Sequence, residues 1–214
     1  MNQRTLQNNY TFEGKGLHTG KYAHMTIGPA PEDSGIRFHR VDLGADAFVD
    51  AVAENVSSTA RSTTISKGKV TVGTIEHVLS ALTGLGVDNA LIDIDAPEVP
   101  ILDGSARLYV EAIMPDGLVE QNAPRKWIEI PEEILVSDRK SGSYIKITPA
   151  EEMSYDVTID FSSRVLGVQT VLGQKGWVEV DDFVVVLLNK EGRYYEQEAR
   201  QNDVRHLVAG EQRQ

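Results

Sequence analysis

Residues 74–106 read TIEHVLSALTGLGVDNALIDIDAPEVPILDGSA, and the fold is decided within them. Set at about 100° per residue, Ile75, Val78, Leu79, Leu82 and Leu85 gather on one side of a helix and form an apolar stripe. Glu76 and His77 fall off that stripe, and the residues sharing their side are Ser80, Ala81 and Gly84. A solvated face normally carries long charged side chains; small ones admit the close approach of another backbone or of a ligand. Gly84 and Gly86 mark the helix end. NALIDID (89–95) follows as a buried strand, then the Pro-rich turn APEVPILDGSA, which excludes regular structure. Ser105 caps a second helix, ARLYVEAIM (106–114), which Pro115-Asp116-Gly117 stops. For Glu76 and His77 two explanations stand. One is a chance pair at a helix start, where a carboxylate suits the dipole; the other is a site.

Outward from this stretch the chain reads as strands. QRTLQNNYTFEG and KYAHMTIGPA flank the glycine-rich turn GKGLHTG (14–20), and GIRFHRVDL, AFVDAVAENV and TTISKGKVTV continue the pattern. Strands resume with KWIEI, EILVSD, SYIKITPAEE and SYDVTIDF. YAHMTIGPAPE (22–32) and YIKITPAEE (144–152) are both strand-then-Pro-Ala-acid units. They suggest a duplicated strand-rich module, divided as 1–124 and 125–214, against the simpler alternative of one β-rich domain. The second part has no copy of the strong helix pattern. Its periodicity weakens after Phe161, DDFVVVLLNKEGRYY (181–195) reads as a buried strand and turn, and the tail admits only a helix with a thin apolar face.

Composition narrows the function. The 214 residues, 41% hydrophobic and 25% charged, are ordinary for a globular protein with room for one large or two small domains. A net charge of −11 argues against a nucleic-acid backbone as partner. With no cysteine, disulfides and thiolate metal sites are excluded, and any zinc must be held by histidine and carboxylate. There is no apolar run near the ~18 residues of a membrane span and no leader-like apolar segment, so a soluble cytoplasmic protein is expected.

Taken together, QRTL (3–6), GLHTG (16–20), the whole of 74–106 and TIDF (158–161) resemble the UDP-3-O-acyl-N-acetylglucosamine deacetylases, the zinc amidases of lipid A synthesis. The likeness runs in order over about residues 3–170. VLGVQ (165–169) is closest to the branch fused to a 3-hydroxyacyl carrier-protein dehydratase. The resemblance implies an α+β fold of two β-rich modules with helices packed between their sheets, the second incomplete here. It makes His77 a zinc ligand and Glu76 the general base that activates water against the substrate acetamide. Arg205-His206 resembles the start of the family's later metal helix and makes His206 a second ligand. Leu207 and Gly210 depart from that helix, where lysine and an aspartate ligand are expected, and a helix-rich stretch between Gln169 and Asp181 is missing. A catalytic zinc usually takes three protein ligands. A catalytically incomplete relative serving as a scaffold or binding module is therefore the alternative. Of the rest, His18 reads as stabilising its turn, and His24 and His39 as strand residues without a carboxylate cluster. Asp103-Gly104-Ser105 reads as a turn and cap, and Asp181-Asp182 as a strand-entry turn.

Overall fold

The computed structural model describes residues 1–127, 129–150, 154–160, 168–174, 195–198 and 205–209. Its elements in chain order are β1 (Asn2–Leu6), β2 (Tyr10–Lys15), β3 (Tyr22–Pro29), β4 (Ile36–Arg40), β5 (Phe48–Asp50), β6 (Val56–Ser58), β7 (Thr64–Lys67) and β8 (Val70–Val72). Then come α1 (Glu76–Leu85), β9 (Ala90–Ile94), α2 (Arg107–Ile113) and β10 (Leu118–Pro124). The remaining strands are β11 (Ile134–Ser137), β12 (Tyr144–Ile147), β13 (Ser154–Asp160), β14 (Val168–Gln174), β15 (Tyr195–Glu198) and β16 (Arg205–Ala209). The class is α+β, as expected.

A five-stranded sheet in the order β2-β3-β9-β4-β5 is the frame of the first half. Alternation dictates its two faces. Ala23, Met25 and Ile27 of β3, Ile92 and Ile94 of β9, Phe38 of β4 and Val49 of β5 point inward and are buried. On the inner side they join Val78, Ala81 and Leu82 of α1 and Tyr109, Val110 and Ile113 of α2 in one core. Ile65 and Val72 bring the small β6-β7-β8 sheet onto the same core. Tyr109 is fully buried, packs edge-on against Phe12 at 4.7 Å, and donates its hydroxyl to the Pro100 carbonyl.

The helix stripe is rotated from the sequence reading. Ser80 and Ala81 are buried, whereas Leu79 and Leu85 are only partly so. Among the described residues, the small side of α1 is thus turned into the core that α1 shares with α2, where Ala106 is equally buried. Ser105 stands one residue before the observed N-cap, Ala106, which makes no side-chain capping bond; its Oγ still accepts the Arg107 amide, while Asp103 accepts from the Ser105 amide and hydroxyl.

Three expectations are corrected. The sequence reading places no strand over 118–124, where β10 pairs antiparallel with β1 and ends at Pro124, two residues before KWIEI (126–130). The described residues of KWIEI form no strand. The tail is not helical at 205–209, where β16 pairs antiparallel with β15, in keeping with the thin apolar face of that segment. DDFVVVLLNKEGRY lies outside the described residues. Past β10, Arg125 forks onto Asp88 and caps α1 through the Gly86 carbonyl. The β11–β12 hairpin leaves Leu135, Val136, Tyr144 and Ile145 exposed.

Candidate functional site

The approach to α1 is built on a carboxylate that sequence reading overlooked. Glu98 is 3% exposed. Its Oε1 accepts the His18 amide at 2.9 Å and the Thr74 hydroxyl at 2.8 Å, and its Oε2 accepts the Thr19 amide at 2.7 Å. Burial opposes ionisation, but these donors outweigh it and hold the carboxyl below its ordinary range. His18 thus does stabilise its turn, through its backbone and not its ring. Gly73 locks the segment alongside, donating to the Pro97 carbonyl and accepting from the Val99 amide.

From this anchorage the chain turns into the helix. Thr74 has φ 57°, a left-handed conformation that a β-branched residue rarely adopts. Glu76 follows as the first residue of α1, and its Oε2 accepts the Thr63 amide at 3.0 Å. Among the described residues its Oε1 carries no partner. His77 is half-buried, and its Nδ1 is enclosed without a hydrogen-bond partner among the described residues. Burial lowers the His77 pKa, against the opposing pull of the Glu76 and Asp103 carboxylates. The ring is consequently neutral near pH 7, the form in which imidazole ligates a metal.

Glu76 and His77 are therefore brought together at one helix start. His206 lies on strand β16, opposite Gln197, and not on a helix. Among the described residues no group of three or more His, Cys, Asp or Glu is disposed to hold a metal ion. His24 and His39 lie on the outer face of the large sheet, and each meets a carboxylate, Asp93 from β9 or Asp95 just beyond its end. His24 meets Asp95 at 2.7 Å; His39 meets Asp93 at 2.9 Å and stacks on Phe48. These pairs arise from cross-strand register, which the local sequence does not display. For Glu98 the available signal was a lone acid inside an apolar, Pro-flanked run (Pro97-Glu98-Val99-Pro100).

The frame is thus an α+β domain that carries a carboxylate and a neutral imidazole side by side at the mouth of a helix. Residues 3–183 match the LpxC family model, UDP-3-O-acyl N-acetylglycosamine deacetylase, and the chain belongs to that family. It is 51% identical over 167 residues to the bifunctional enzyme LpxC/FabZ of Porphyromonas gingivalis, covering 78% of this chain and 36% of that protein. A second bifunctional enzyme LpxC/FabZ, from Bacteroides thetaiotaomicron, is 42% identical over 166 residues, 78% of this chain and 36% of its own. Similarity to the UDP-3-O-acyl-N-acetylglucosamine deacetylase of Teredinibacter turnerae is 40% over 230 residues, 92% of this chain and 76% of that one. That stretch exceeds the 214 residues present, so the relative carries residues with no counterpart here. Across these three relatives the chain spans 36% to 76% of their length. Among the described residues no helix is long and apolar enough to cross a membrane.

Proposed function

We propose that this chain serves the hydrolysis of the acetamide of UDP-3-O-acyl-N-acetylglucosamine in lipid A synthesis, releasing acetate and the free 2-amino sugar nucleotide. The observation that carries it is the Glu76–His77 pair, held at the start of α1 inside the family-matched segment. Water attacks the amide carbonyl and its proton passes to Glu76, whose Oε2 is anchored by Thr63; the C–N bond then breaks as that proton passes to the departing amine. The ring of His77, which burial favours in its neutral form and whose Nδ1 has no partner among the described residues, has the donor chemistry of a zinc ligand. Bound zinc would supply Lewis-acid polarisation of the carbonyl. His206 is the second ligand in this proposal, on the strength of the Arg205-His206 resemblance. The protein is taken to work in the cytoplasm as two modules, 1–124 and 125–214, with a functional link to a hydroxyacyl carrier-protein dehydratase. The names of the bifunctional relatives support that link.

The test is acetate release from the UDP-sugar by the zinc-supplemented protein, set against Glu76→Gln. Turnover in the parent that falls by about 10²-fold or more in the variant supports the proposal; turnover equal in both overturns it. The residues present in the Teredinibacter relative and absent here favour one second reading, a scaffold or binding module. Saturable binding of the UDP-sugar without acetate release, at any zinc concentration, would establish that instead.

A further inference from the structure

We infer that Glu98 is a positioning residue, which through Thr74 fixes the one backbone path that presents Glu76 and His77 as a pair. The role of that pair rests on the function proposed above; the positioning stands on geometry alone. Thr74 is 2% exposed and left-handed at φ 57°, a conformation that costs a β-branched residue and persists only where its surroundings impose it. The surroundings here are few and identifiable. The Thr74 hydroxyl is bound by Glu98 at 2.8 Å, and the preceding Gly73 is clamped on both its N–H and its carbonyl by Pro97 and Val99, the residues flanking Glu98. The turn at Thr74 then sends the chain back against Thr63. There the Ile75 amide reaches the Thr63 carbonyl, and the Thr63 amide reaches Glu76 Oε2 at 3.0 Å. If Thr74 relaxes to the extended region, residues 75–77 leave that path, and Glu76 loses the hydrogen bond from the Thr63 amide.

The carboxylate is itself locked in place. It is held by the amides of His18 and Thr19, and it fills the space that a side chain at position 16 would need, since a Cβ there would lie 2.7 Å from the Glu98 carboxyl carbon. The GLHTG turn, the APEVP segment and the helix start are therefore one mechanical unit with Glu98 at its centre.

A merely structural Glu98 would staple the GLHTG turn and do no more, and Thr74→Gly separates the two roles. Glycine adopts φ near 57° freely, so it should restore the helix start when Glu98 is lost, without restoring the turn. The experiment compares parent, Glu98→Gln, Thr74→Gly and the double variant by amide hydrogen exchange and by NMR of the His77 ring. Glu98→Gln should speed exchange at Thr63 by about tenfold or more and shift the His77 ring signals; the double variant should return both toward the parent, with the His18 and Thr19 amides still unprotected. Unchanged Thr63 exchange in Glu98→Gln, or no recovery in the double variant, would overturn the inference. If Glu98→Gln proves too unstable, Glu98→Asp, which keeps the charge and shortens the reach, is read by the same two criteria. Zinc ion added to the parent is scored separately: His77 signals that ignore zinc overturn the metal assignment, while Thr63 exchange decides the positioning.

Discussion

Gly16→Ala is the sharpest perturbation of the frame beneath the helix start. A Cβ at this position would lie 2.7 Å from the Glu98 carboxyl carbon and 2.8 Å from Thr19 Oγ1, closer than real Cβ atoms come. The backbone at Gly16 is not left-handed, so the cost is one of space, not of conformation. Relief requires Glu98 to withdraw from a buried position where it accepts three hydrogen bonds. Hydrogen bonds to a charged group are worth about 1.5–3 kcal/mol each, and rebonding to water recovers part of that, so a loss of about 2–4 kcal/mol is expected. Gly14 is the matched control two residues earlier. Its added Cβ would meet Pro100 and Leu102 at 3.5 and 3.9 Å, ordinary contact, so Gly14→Ala should change stability by less than about 1 kcal/mol. Urea unfolding at pH 7 measures both. Equal stability of the two variants, or a Gly16→Ala loss under about 0.5 kcal/mol, would refute the buried Glu98 node.

Three further outcomes are expected. Ala81→Leu, at a position of α1 with no exposure in the core shared with α2, should cost about 1–3 kcal/mol by overpacking, read as a lowered urea midpoint; an unchanged midpoint would mean the core is not closed there. Because the Glu98 pKa is depressed in the folded state, its contribution is complete above the ordinary value of 4.5 and is lost as pH falls through the folded pKa. The stability gap between parent and Glu98→Gln, measured by urea titration from pH 7 to 3, should therefore narrow below pH 4.5, and a gap constant with pH would contradict the assignment. His77 should titrate below its ordinary 6.5 when followed by NMR, since burial disfavours the charged ring; a midpoint above 6.5 would place it in a polar setting.

How much of this was legible depended on how local each signal was. Glu76, His77 and the apolar residues of α1 sit within one helical segment, so periodicity alone exposed the pair. The burial of Ser80 and Ala81 in place of Leu79 and Leu85 was not exposed, because it depends on the core that α1 shares with α2. Glu98 escaped for a similar reason: its donors are 80, 79 and 24 residues distant in sequence, and no pattern near Glu98 announces them. The Asp93 and Asp95 partners of His39 and His24 are likewise products of sheet register. β10 was missed because it ends at Pro124 with mostly exposed residues, a sequence that looks like a linker until β1 pairs with it. Beyond Phe161 the apolar alternation that made the first half readable fades, and resemblance alone carried the assignment of His206.

The central assignment, a metal-assisted site at the start of α1, is tested most directly by competitive zinc titration of the parent, His77→Ala and His206→Ala. Zinc bound by the parent should be lost in His77→Ala and weakened in His206→Ala. It should be held far less tightly than the ~10–16 kcal/mol of structural zinc sites, since two ligands stand where three or four are usual. Zinc affinity unchanged by His77→Ala would contradict the assignment, because the ion would then be bound elsewhere and the pair with Glu76 would have no metal to serve.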